Sequence, residues 1–139
     1  MYSAFEKGAP VGLAISAALG SWILATDTFL WTARPEHAYG LLAFVVLDVV
    51  LATLILTRKK YAFFGTLIFA TVQFLLQAGD PILGRPAGYT VETFALYLFS
   101  NWAFDALLIA QVAIMVLSWR GYVASRITEI GRASCRERV

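Results

Sequence analysis

Residues 38–57 read AYGLLAFVVLDVVLATLILT, and this stretch decides the fold class. It holds one charged side chain, Asp48, and is closed by the basic run Arg58-Lys59-Lys60. About twenty apolar residues rising ~1.5 Å each are enough to cross a hydrocarbon layer ~30 Å thick as a helix. Working outward, residues 11–31, 61–78 and 93–119 form three more stretches of the same kind. Across the 139 residues, 60% are hydrophobic and only 14% charged, whereas a soluble domain carries nearer a quarter. The expected fold is therefore all-α: a polytopic membrane protein built as a four-transmembrane-helix bundle, with residues 1–128 as its single domain. The first stretch is too long for the ~7–15-residue apolar region of a secretory signal, so it reads as a retained helix.

Orientation follows from the basic residues. Three lie at Arg58–Lys60 and two, Arg120 and Arg126, follow the last stretch, against one each around Arg34 and Arg85. The positive-inside rule then predicts an N-in/C-in arrangement in the cell membrane, with the Arg34 and Arg85 loops outside. Arg34-Pro35 and Arg85-Pro86 each precede a stretch containing a central aspartate, a faint sign of a duplicated helical hairpin that common topology explains equally well.

Residues 129–139, EIGRASCRERV, resemble the in-frame translation of a common sequencing-adapter oligonucleotide. The expectation is that the native chain departs from this sequence after Thr128 and that the tail carries no function. The single cysteine, Cys135, belongs to that tail, so no redox compartment follows from it.

Polar side chains within the apolar stretches are the candidate functional residues. Counting from the predicted helix ends places Asp48 and Asp105 at similar depth near the midplane, with Asn101 one turn away from Asp105 on the same face. Gln73 and Gln77, four apart, share a face of the third stretch, and Asp27 lies near the end of the first. An ionisable group at that depth costs roughly 2.5–3.5 kcal/mol on insertion scales, so it is either compensated or used. Used, Asp48 and Asp105 would share a proton or bind a cation at the end of a vestibule. Compensated, each would bond a neighbouring amide or hydroxyl and hold helices together at about 0.6–2 kcal/mol per contact. Gly12, Ser16 and Gly20 form a small-residue stripe suited to close helix packing, within the bundle or between copies.

Several function classes find no support. His37 is the sole histidine, and no ligand spacing surrounds it, so neither a metal site nor a cofactor is expected. Serines within the apolar stretches lack a histidine base, and catalysis is not expected. The net charge of +2 is dispersed, which argues against nucleic acid. The expected partners are the lipid bilayer and a homo-oligomer or larger membrane complex, with the chain acting as a non-catalytic accessory or oligomerising subunit. The alternative is a small transporter or channel for protons, cations or small solutes that uses Asp48 and Asp105.

Overall fold

The computed structural model describes residues 4–138, so Met1–Ser3 and Val139, the last residue of the adapter-like tail, lie outside the described residues. Among the described residues there are six helices and no strand: α1 Ala4–Thr26, α2 Thr28–Ala33, α3 Pro35–Leu56, α4 Ala62–Leu83, α5 Val91–Phe99 and α6 Trp102–Glu137. Four of them, α1, α3, α4 and α6, are long and apolar enough to cross a membrane.

The long helices run alternately up and down. α1 packs along both α3 and α6, and α6 packs along α4, whereas α3 and α4 touch over a much smaller area although they are neighbours in the chain. The bundle is thus tight on three sides, with a looser seam between α3 and α4. At the Lys59 end the core is Leu13, Ile55, Ala70 and Ile114, and towards the Arg34 end it is Ile23, Leu30, Ala38, Ala103 and Leu107.

The small-residue stripe of α1 lies inside the bundle. A Cβ added at Gly12 would stand 2.9 Å from Ile114 Cγ1 of α6, and one at Gly20 would stand 2.6 Å from Val45 Cγ2 of α3. Close approach of three backbones is what these glycines permit.

Apart from small shifts, an α1 that begins at Ala4 and an α6 that runs past Trp119 to Glu137, three helix ends differ from the expected spans. The first stretch, expected as 11–31, stops at Thr26: Asp27 leaves helical geometry at φ −91° and ψ 89°, and its Oδ1 accepts from Leu30 N at 3.0 Å to begin α2. The fourth, expected as 93–119, is two helices, because Asn101 caps α6 by accepting from Ala103 N at 3.1 Å. Asp and Asn are among the strongest N-cap formers, since a short side-chain acceptor satisfies an orphan amide of the first turn. The third, expected to end at Ala78, continues through Pro81 to Leu83. Pro81 removes one intrahelical bond and crowds the carbonyl of Gln77, and the helix ends one turn later at Gly84. The intervening loop is correspondingly short, and Thr90 and Thr93 close it with a reciprocal capping box that starts α5. Residues 129–137 prolong α6 with exposed side chains.

Candidate functional site

Two polar clusters stand at different levels of the bundle. The first is central. Asp48 is the polar position on a helix whose neighbours Val46, Leu47, Val49 and Val50 are exposed, yet it is itself 1% exposed and turned into the bundle. Ser16 of α1 donates to Asp48 Oδ2 at 2.6 Å, and Gln111 Nε2 of α6 donates to Ser16 Oγ at 2.7 Å. One hydroxyl therefore links a carboxylate and an amide, and three helices are tied through three side chains. The hydroxyl fits between them because Ser16 belongs to the small stripe that lets α3 and α6 approach α1. Asp48 Oδ1 and Gln111 Oε1 have no hydrogen-bond partner.

The other expected members of a midplane site are elsewhere. Asp48 is level with Gln111, and Asp105 lies six residues from Gln111 along α6, about 9 Å at ~1.5 Å per residue. The break at Ser100-Asn101 is the reason: with α5 separate, Asp105 falls in the first turn of α6, half-buried, where a carboxylate complements the positive end of the helix. Asn101 is spent on its cap. Gln73 is 1% exposed with Oε1 unpartnered, and Gln77 is 8% exposed, also with Oε1 unpartnered. Asp27 caps α2 and accepts from Tyr97 Oη at 2.8 Å on both carboxylate oxygens, which joins the α1–α2 corner to α5.

The second cluster is at the Arg34 end. Arg34, at the corner between α2 and α3, is 3% exposed; its Nη2 donates to Asp80 Oδ1 of α4 at 3.1 Å, and its guanidinium lies over the Phe94 ring of α5, 4.8 Å from the centroid. His37 Nε2 stands 3.5 Å from the same Asp80 oxygen, and its Nδ1 is 3.0 Å from Glu36 Oε1. Gly84 ends α4 against this group. A Cβ there would press on Arg34 Nη2 and stand 2.5 Å from Asp80 Oδ1 and 2.8 Å from His37 Nε2. The sequence signal was present in the glycine after Asp80-Pro81, but it reads equally as a turn. Among the described residues, no group of three or more His, Cys, Asp or Glu is placed to hold a metal ion.

A cavity of about 310 Å³ opens beside this cluster. α3 contributes Leu41 and Phe44 to its wall, and α4 contributes Leu76 and Gln77, so it occupies the loose seam between these two helices. Asp27, Arg34, His37, Asp80, Tyr97 and Asn101 supply its polar side, while Phe104 and Leu107 of α6 extend its apolar floor. The wall includes neither Asp48 nor Asp105 nor Gln73. The cavity thus brings together Asp27, Gln77 and Asn101 of the expected site residues and leaves the other three apart.

Comparisons with protein-family models, with curated proteins and with solved structures give no match, so the geometry alone carries the functional reading.

Proposed function

We propose that this chain is a multi-pass membrane protein with both termini on the cytoplasmic side, serving as a non-catalytic accessory or oligomerising subunit of a membrane assembly. The observation that carries this reading is the state of Asp48. Its carboxylate is sealed between α1, α3 and α6 and engaged by Ser16, and it contributes nothing to the cavity wall. A coupling carboxylate needs a path to water, whereas a helix-joining one needs a partner on the next helix, which is what Ser16 and Gln111 provide. The exposed apolar face of α3, with Val46, Val49 and Val50, suits lipid or a partner helix. The orientation rests on the excess of Lys and Arg at Arg58–Lys60 and beyond Trp119.

Two measurements test this. In a Cys135→Ser background, single cysteines at Glu36 and Ala87 label with an impermeant thiol reagent from outside the cell, and one at Lys59 does not; labelling at Lys59 alone inverts the orientation. Solubilised in mild detergent from its native membrane, the protein elutes in a particle whose protein mass, with bound detergent subtracted by light scattering, exceeds the 15.3 kDa of one chain. A lone monomer whose proton or cation flux in liposomes is abolished by Asp48→Asn would replace the subunit reading with the transporter one.

A further inference from the structure

The cavity in the α3–α4 seam is a built site of mixed character, and its chemistry selects a class of ligand independently of whether the chain is a subunit or a transporter. Three carboxylates, Asp27, Glu36 and Asp80, face it, against Arg34 and His37. Negative charge remains in either protonation state of His37. Arg34 is already engaged by Asp80, whereas Asp27 is held only by neutral donors, the Tyr97 hydroxyl and the Leu30 amide. Gln77 lines the same wall, but its Oε1 is fully buried and out of a ligand's reach, so the carboxylates of Asp27 and Asp80 are the acceptors that the cavity presents. Arg34 Nε lacks a partner, but an anion drawn to it would stand among the carboxylates of Asp27 and Asp80. The remaining wall is aliphatic and aromatic, with the rings of Phe29, Phe44 and Phe104 available to a cation's apolar body and to its charge. A volume of about 310 Å³ is at the small end for ligand pockets and suits a compact molecule of one or two rings.

We propose that this cavity binds a small primary organic ammonium ion with an apolar body, the ammonium pairing with the Asp27 carboxylate within the field of Asp80 and the body lying against Phe44, Leu76 and Phe104. Tyr97 and the Leu30 amide hold the Asp27 carboxylate in place, and Gly84 keeps the Arg34–Asp80–His37 rim compact.

The test uses the whole protein in phosphatidylcholine nanodiscs and three fluorine NMR probes that share one arylethyl body: 2-(4-fluorophenyl)ethylamine, 2-(4-fluorophenyl)ethanol and 3-(4-fluorophenyl)propanoate. The amine gives a saturable line shift that unlabelled 2-phenylethylamine competes away, and the alcohol and the propanoate bind at least about tenfold more weakly. Asp27→Asn retains both the helix cap and an acceptor for Tyr97, so it removes charge without removing structure. It weakens the amine about tenfold and leaves the alcohol unchanged. The proposal is overturned if the propanoate or the alcohol binds as tightly as the amine, if the amine shift does not saturate at millimolar concentrations, or if amine affinity in Asp27→Asn equals that of the native protein.

Discussion

The central cluster and the Arg34-end cluster use similar residue types to opposite ends. At the centre, a carboxylate is met by a hydroxyl and an amide, all three nearly without exposure, and the helices around them touch. At the Arg34 end, a carboxylate is met by a guanidinium and an imidazole, and the helices beside them part to leave a cavity. The difference lies in the neighbours. Ser16 sits among glycines that allow three backbones to close, whereas Asp80 sits opposite Phe44, Phe94 and Tyr97 in a region of bulky rings and helix corners. A neutral partner of small size gives a sealed joint; a charged partner of large size gives a braced opening.

The sharpest way to break this contrast is to remove charge at the brace. Asp80→Asn leaves the Arg34 guanidinium buried without its counter-ion and is expected to lower stability by about 3 kcal/mol, the low end for a broken buried pair because Asp80 is partly exposed. Chemical unfolding in mixed micelles reads this directly. At the joint the order of substitutions is diagnostic: Asp48→Leu costs about 2 kcal/mol by depriving Ser16 of its acceptor, while Asp48→Asn costs less than about 1 kcal/mol because an amide oxygen still accepts. If the asparagine were as damaging as the leucine, the carboxylate's charge would matter at the joint as well and the contrast would collapse. A smaller effect is expected from Gly84→Ala, about 1 kcal/mol, as the new methyl pushes the guanidinium away from Asp80. The loss should shrink in an Asp80→Asn background, where the ion pair is already gone and only the crowding against residue 80 and His37 remains. The smallest effect is at the tail. Deleting residues 129–139 leaves the unfolding curve unchanged within error, since the side chains of its described residues are exposed.

The four long helices were legible because an apolar run of about twenty residues has few other structures open to it. The two breaks were not. Asp27 and Asn101 lie inside such runs, and a short polar side chain there reads equally as a buried functional group or as an N-cap. Geometry decides between these, through bonds to Leu30 N and Ala103 N that only the folded backbone presents. Missing the second break shifted the depth assigned to Asp105 and so paired it with Asp48. Of the candidate site, the inward turn of Asp48 followed from its cost in an apolar run, but Ser16 and Gln111 come from helices far away in sequence. Arg34 and Asp80 were hidden for a different reason. Flanked by Pro35 and by Gly79 and Pro81, they look like loop residues, and their burial depends on α2 and α5 folding over them.

The pairing of the first long helix with the last has a consequence for how the chain is made. Gln111 follows Ser16 by 95 residues, which at roughly 5–20 residues per second corresponds to about 5–20 s of synthesis. Once Leu56 completes α3 within that interval, Ser16 and Asp48 can meet, but the third member of the joint does not yet exist. The nascent protein therefore waits as an unfinished hairpin with the flank of α1 around Gly12 bare to whatever lies alongside. Completion of the last helix is the event that seals it, so a nascent chain halted before Gln111 keeps that flank of α1 uncovered.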